Sequence, residues 1–315
     1  MSRHDRLPAD ASPVSVSQKG LIRLSGPARV IPLDVVRVNS LQAGAYVSHF
    51  KGRGMEFDES RPYQPGDDPR NIDWRVTARS TEAYTKLFRE ERERPVFVMV
   101  DLRSSMHFAT KGCFKSVNAS RAAALISWAA HHRGDRLGGI IFGDTVHREL
   151  KPRLGRLAAL RFVHELVEHP DWTTTVRAEQ TSDDAPLQQA MAALRRVTRP
   201  GSLVVIISDF VGLNRLTRSY LAGIARHNEV LAVFVSDPLE HRLPPPGRYR
   251  LVKDDSELMI DTYAKGARAD YRREFEARSA ELDAFCQRYG AHLMPLSTAD
   301  DPVETLQRLL GRRTH

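Results

Sequence analysis

The sequence predicts an α/β protein: a doubly wound, mostly parallel sheet preceded by a smaller N-terminal subdomain. Three observations lead there. From residue 95 onward, short apolar runs of strand length alternate with segments of helical periodicity. Glycine, proline and aspartate punctuate the joins. Three of the apolar runs end in an aspartate, at Asp101, Asp209 and Asp237. Strand–helix alternation favours a parallel sheet with helices on both faces, because the crossover between parallel strands has to pass over a face.

In chain order, Pro95 precedes the run Val96–Val100, which ends at Asp101. A helix is predicted over about 116–133, with Ala122, Leu125, Ile126 and Ala129 on one face, stopped by Gly134-Asp135. A strand follows at Leu137–Phe142, and alternation over Thr145–Leu150 reads as a second, after a turn at Gly143-Asp144. The next helix, about 156–168, places Leu157, Leu160, Val163, Leu166 and Val167 in register. After a polar loop, 170–184, Pro186 sits in a first helical turn and the helix runs to Val197, ended by Arg199-Pro200-Gly201. The strand Leu203–Ile207 leads to Ser208-Asp209-Phe210, a helix over about 214–227 follows, and Val230–Val235 ends at Ser236-Asp237-Pro238. Beyond the prolines of 244–247, Tyr249–Val252 and Leu258–Thr262 predict a hairpin inserted near 247–262. A long helix over about 263–289, carrying Tyr271, Phe275, Leu282, Phe285, Cys286 and Tyr289, then a strand at His292–Leu296 and a helix over about 302–311 complete the pattern. The boundaries follow: residues 1–18 as a mobile N-terminus, 19–94 as the subdomain, 95–315 as the α/β domain.

Composition narrows the function. The 315 residues hold 47 Lys and Arg against 39 Asp and Glu, a formal charge of +8. The basic excess is three over residues 1–95, four over 96–262 and one over 263–315. A nucleic-acid footprint concentrates its charge on one face or stripe, so a nucleic-acid partner is not expected. Cys113 and Cys286 cannot build a disulfide framework, and neither lies in a metal-ligand spacing. The N-terminal stretch is polar and has no leader-like apolar core. No apolar run approaches the ~20 residues of a spanning helix. The expected location is therefore the cytoplasm, with no direct membrane span.

In doubly wound sheets, ligands sit beyond the carboxyl ends of the strands. Asp101, Asp209 and Asp237 are expected there together. The first of these strands runs on as Asp101-Leu102-Arg103-Ser104-Ser105. This loop, with the later Ser208-Asp209, resembles von Willebrand factor A domains, whose adhesion-type site holds Mg²⁺ or Mn²⁺ through hydroxyls and carboxylates. The resemblance implies Asp101, Ser105 and Asp209 as the metal set. The chain departs from it at Arg103, where a serine belongs, and near Thr181, which is displaced from the expected threonine position. A guanidinium cannot ligate a cation. Three readings follow: a degenerate metal site, a relic loop in which Asp101 and Asp209 cap helices or pair with Arg103, or an Arg103 that binds a partner carboxylate directly.

The segment before the sheet carries Gly52-Arg53-Gly54, Glu56-Phe57, Arg61, Tyr63, Pro65-Gly66-Asp67-Asp68, Arg70, Ile72-Asp73-Trp74 and Ala78-Arg79. Pro-Gly-Asp-Asp is turn chemistry. Arg70, Asp73, Arg75 and Arg79 suit a partly buried ion-pair network anchored by Trp74. Glu56 and Asp58, two apart, share a strand face. The set closely resembles the signature of the bacterial domain of unknown function 58 family, over about residues 20–312. That resemblance implies a von Willebrand factor A-like domain after the signature. It also implies a non-catalytic partner of MoxR-type AAA+ ATPases that assists the assembly or activation of client proteins. Other von Willebrand factor A-like proteins are further partners it suggests. On this reading Arg103, Arg53, Arg61, Arg70, Asp73, Trp74 and Arg79 form partner-binding surfaces, and the cofactor is at most Mg or Mn.

Enzyme motifs are missing. There is no GxxxxGK[ST] loop, GxSxG elbow or HExxH helix. Cys113, near His107 and Lys111, reads as a small apolar residue rather than a nucleophile, and His131-His132 as a helix end. The chain is therefore expected not to be an enzyme. The alternatives are a metal-dependent hydrolase using Asp101, Asp209 and Asp237, and, last, a nucleic-acid-binding protein.

Overall fold

The computed structural model describes residues 12–33, 55–64, 67–80, 82–90, 94–173, 184–241, 245–253, 256–263 and 265–311. Arg53, Gly52, Gly54, Pro65, Gly66, Thr181 and residues 1–11 lie outside these. Two units are distinct: 55–90 forms one, and 12–33 with 94–311 forms the other.

The larger unit is built on a six-stranded sheet. Its strands are β3 (Val96–Asp101), β4 (Leu137–Phe142), β5 (His147–Arg153), β6 (Leu203–Ser208), β7 (Glu229–Ser236) and β10 (His292–Ser297), in the spatial order β10-β7-β6-β3-β4-β5. Every pairing is parallel except β4 with β5. The strands β3, β4 and β6 are buried along their whole length. They are also apolar on both faces, as strands must be when helices cover both sides. The fold class is therefore mixed α/β with a mostly parallel central sheet flanked by helices, as the alternation predicted.

One face of the sheet packs against α4 (Lys115–Arg133), α5 (Arg156–Val167) and α10 (Pro302–Gly311). The other packs against α6 (Ala185–Val197), α7 (Arg215–Ala225) and α9 (Lys265–Tyr289). Two short helices, α1 (Gln18–Arg23) and α2 (Ser25–Ala28), lie on α4 and α5. Ser17 caps α1 by accepting from the Gly20 amide, and Trp128 Nε1 donates to the Leu21 carbonyl at 3.0 Å. Leu21, Ile31 and Leu33 are buried there, each worth about 1.5–3 kcal/mol of transfer free energy. This stretch thus belongs to the sheet unit. Leu157, which its spacing placed on the apolar face of α5, is 80% exposed. The arc of α5 that meets the sheet is Ala158, Ala159, Phe162, Val163 and Leu166. Tyr271 of α9 is likewise partly exposed, whereas Phe275, Leu282 and Cys286 are buried.

The predicted hairpin is present as β8 (Arg248–Lys253) paired antiparallel with β9 (Ser256–Asp261). A single turn, α8 (Pro238–His241), follows β7.

The smaller unit holds β1 (Met55–Pro62) antiparallel to β2 (Tyr84–Glu90), with α3 (Trp74–Thr77) between them. The register slips between Phe57 and Glu59, so Asp58 sits at a bulge and strict alternation with Glu56 is interrupted. Among the described residues, no helix of the protein is long and apolar enough to cross a membrane.

Candidate functional site

Chain order fixes where the site lies. From β3 the chain builds outward through β4 and β5, then returns to the opposite side of β3 for β6, β7 and β10. The order reverses between β3 and β6, and the crevice beyond their carboxyl ends is the place where such sheets accept ligands. Asp101 ends β3, and Asp209 directly follows β6.

Past Asp101 the backbone turns, and the Arg103 amide donates to Asp101 Oδ1 at 3.0 Å. The Arg103 side chain folds back onto the same carboxylate. Its Nε lies 3.0 Å from Oδ1, its Nη2 lies 2.7 Å from Oδ2, and Nη2 also reaches Asp209 Oδ1 at 3.4 Å. The guanidinium sits 5.7 Å from the centre of the Phe142 ring. Ser208 Oγ donates to Asp101 Oδ2 at 2.6 Å. From the first turn of α4, Lys115 Nζ donates to Asp209 Oδ2 at 3.0 Å and to Glu240 Oε1 at 2.8 Å. Asp101, Arg103, Lys115 and Asp209 are all buried. Charges so placed have to be paired, because an isolated buried charge is prohibitively costly. Burial opposes the charge on Arg103 and on Lys115, yet the carboxylates of Asp101 and Asp209 beside Arg103, and of Asp209 and Glu240 beside Lys115, hold both pKa values above their ordinary values. Burial likewise opposes the Asp209 carboxylate, but Lys115 and Arg103 hold its pKa below the usual range.

This arrangement does not fit Mg²⁺ or Mn²⁺. Both oxygens of Asp101 accept from Arg103, and one also accepts from Ser208. Asp209 is shared between Arg103, Lys115 and the Val211 amide. The guanidinium stands between the two carboxylates, where a cation would bridge them. Ser105 Oγ is buried and uncommitted among the described residues, but a lone hydroxyl is no metal site. No group of three His, Cys, Asp or Glu among the described residues is placed to hold a metal.

Asp237 belongs to a neighbouring knot. It accepts from Thr110 N and Oγ1 (2.8 and 2.5 Å), Thr298 Oγ1 (2.6 Å) and the Leu239 amide (2.8 Å). Burial pushes its pKa up, but these donors bring it below the ordinary carboxylate value. Its own amide donates to Glu240 Oε2 at 2.8 Å, so Glu240 links this knot to Lys115. The structure thus gathers Asp101, Arg103 and Asp209 in one network, with Ser105 nearby in the loop and Asp237 one step away. Sequence reasoning missed Lys115 and Glu240, and it named Ser208 without its bond to Asp101. Lys115 does carry a signal: a cation in the first turn opposes the helix dipole and calls for acidic partners.

A second polar group was also missed. His107 stacks between Phe114 and Trp172, with ring centres 6.3 and 5.6 Å away. His169 caps the turn Pro170–Trp172 by accepting from the Asp171 amide. Burial and the nearby Arg148 press the His169 pKa down to about 4. Cys113 is buried, and burial raises its thiol pKa against the pull of Arg121. An unactivated thiol follows.

In the smaller unit the signature residues build turns. Arg61 pairs with Asp67 at 2.7 Å. Asp68 caps the turn Pro69–Asn71. Asp73 caps α3, accepting from Arg75 and Val76 amides and from Ser60 Oγ at 3.1 Å. Desolvation pushes the Asp73 pKa up, but those donors hold it below the ordinary value. Trp74, expected to anchor an ion-pair network from within, is instead 70% exposed. Arg70, Arg75 and Arg79 are exposed around it in sequence. The cause is local: α3 is a single turn, so the cap fixes Asp73 inward and leaves the next residue outward.

The family model described as "Protein of unknown function DUF58" matches residues 59–281, more than half of the chain, and the chain belongs to this family. Uncharacterised proteins from Mycobacterium tuberculosis and Mycobacterium bovis are each 32% identical over 293 residues, covering 92% of this chain and 90% of their own length. Among solved structures, a conserved hypothetical protein, BatB, from Bacteroides thetaiotaomicron is matched with a TM-score of 0.41 at 13% identity, over 70% of this chain and all of the other. An aerotolerance-related membrane protein from Bacteroides fragilis is matched at 0.43 and 14% identity, with the same coverage.

Proposed function

We propose that this chain is a non-catalytic, cytoplasmic protein-binding adaptor that acts with a MoxR-type AAA+ ATPase in assembling or activating client proteins, and that its sheet unit follows the von Willebrand factor A plan. The observation that carries the reading is Trp74. A tryptophan 70% exposed on a capped helical turn, among exposed Arg70, Arg75 and Arg79, adds nothing to the core of its own unit. Trp and Arg are the side chains that dominate binding energy at protein interfaces. The carboxyl-edge network supports the same reading. Asp101, Asp209 and Asp237 are all engaged by fixed donors, so none of the three is left to act as a general base.

The test is association with the ATPase of the same organism, measured in an ATP-analogue state and an ADP state. A complex is expected in at least one state. Trp74→Ala should weaken it by about tenfold or more, a hot-spot loss of ≥ ~1.4 kcal/mol, with an unchanged melting temperature. Absence of a complex in both states, or a Trp74→Ala chain that binds as well as the native one, rules the proposal out.

A further inference from the structure

A different surface of the sheet unit lies in the groove that α7 forms with α9. Its cavity is about 680 Å³, and Arg195 of α6 stands at its rim. Arg215 and Arg226 come from α7, and Arg288 from α9. None of these four has a carboxylate partner among the described residues, and Arg195, Arg215, Arg226 and Arg288 are exposed. A fifth, Arg218, is committed to Glu281 and to the Leu213 carbonyl. The groove therefore presents a cluster of positive charge with its single acid neutralised.

Its floor carries a second observation. Gly223 lies inside α7, where glycine costs about 1 kcal/mol relative to alanine. Nothing in the fold calls for it. Its dihedral is not left-handed, and a Cβ there would meet only Arg195 Cδ, at 3.8 Å. The residue is exposed. A side chain would instead stand in the groove, so the glycine keeps open a place where another chain can approach the helix backbone.

A third observation bears on what enters. Arg218, Glu281 and Phe285 also line an adjoining pocket of about 300 Å³, walled by Phe210, Leu282 and Phe234. Charged groove and apolar pocket are therefore continuous. The aromatic rings of the groove are Phe285 and Tyr289: they pack on each other with ring centres 4.6 Å apart, and Arg288 lies over Tyr289 at 5.7 Å. Holding a single-stranded nucleic acid takes a series of aromatic faces for successive bases, and two rings packed on each other do not supply one.

We infer that this groove docks an acidic peptide segment of a partner protein, with carboxylates on Arg195, Arg215, Arg226 and Arg288, the backbone passing over Gly223, and one apolar side chain entering the pocket beside Phe285. Bidentate carboxylate recognition suits guanidinium geometry.

The test is fluorescence anisotropy of the full chain with a labelled Glu-rich peptide carrying one Phe. Controls are the same peptide with Gln for Glu, and a thymidine oligonucleotide of equal length. Saturable binding of the acidic peptide alone is expected. Arg195→Glu with Arg226→Glu, and separately Gly223→Leu, should each weaken it by about tenfold or more. The Gly223→Leu result is distinguishable from misfolding, because this variant should raise the melting temperature through helix propensity while weakening docking. Binding unchanged in both variants, or tighter binding of the oligonucleotide than of the peptide, would overturn the inference.

Discussion

Arg103 has its side chain 7% exposed and divides its guanidinium between Asp101 and Asp209. Loss of one partner from a buried charge network leaves the others unpaired, at about 3–5 kcal/mol. Arg103→Ser should therefore lower the unfolding free energy measured in urea by that order. It also puts a serine hydroxyl, a ligand for hard cations, in the loop with Asp101 and Ser105. The expected outcome is that millimolar Mn²⁺ raises the melting temperature of Arg103→Ser, by the linkage of binding to folding, and leaves the native chain unmoved. A Mn²⁺-dependent rise in the native chain would show that the guanidinium does not stand in the cation's place. The sequence made Asp101, Arg103 and Asp209 legible as a set, because strand-end positions in a parallel sheet share an edge. It did not reveal the direction of the Arg103 side chain, since one loop sequence is compatible with an arginine reaching outward or folding back. Trp74 was misread for a related reason: the sequence shows a capped turn but not which side of it is covered.

At the scale of elements, the strands and long helices were readable because their apolar periods are strong. Each of β3, β4, β6, β7 and β10 lies within a residue or so of its sequence expectation. What could not be read was how weakly patterned pieces dock. The short α1 and α2 sit on α4 and α5 through Leu21, Ala28 and the Trp128 hydrogen bond, and no periodicity in six residues announces that. The glycines of β4 are another case. They resemble weak points of a strand, yet a Cβ on Gly139 would stand 2.4 Å from the Val98 carbonyl and 2.5 Å from the Phe162 ring. Gly139 sets how closely α5 lies on the sheet, whereas a Cβ on Gly138 would meet Leu150 and Pro152 of β5. Gly139→Ala has to push Phe162 or the strand aside, and overpacking of this kind costs about 1–3 kcal/mol. The urea midpoint should fall accordingly. A Gly139→Ala chain as stable as the native one would mean that α5 does not rest on β4 through Phe162.

For the whole molecule, the formal charge of +8 carries less information than the placement of a few buried groups. The pH dependence of stability shows why. In the unfolded chain a histidine titrates near 6.5, whereas His169 in the fold titrates at about 4, pressed down by burial and by Arg148. Between these values the unfolded state binds more protons, so stability rises with pH across the window. The contribution of His169 is complete above about pH 6.5 and is lost as the pH falls toward about 4. His107, also lowered by burial against the pull of Asp144 and Asp101, acts in the same direction. Asp171 works in the opposite sense, because burial raises its pKa, but its ordinary value lies below most of this window. Asp209 and Asp237, both lowered, add their losses only at more acidic pH. The native chain should therefore lose on the order of 2 kcal/mol between about pH 7 and about pH 4.5, read as a falling melting temperature. His169→Asn retains a side-chain acceptor for the Asp171 amide and removes the titration, so its melting temperature should fall less over the same range. Parallel curves for the two chains would show that acid sensitivity arises elsewhere.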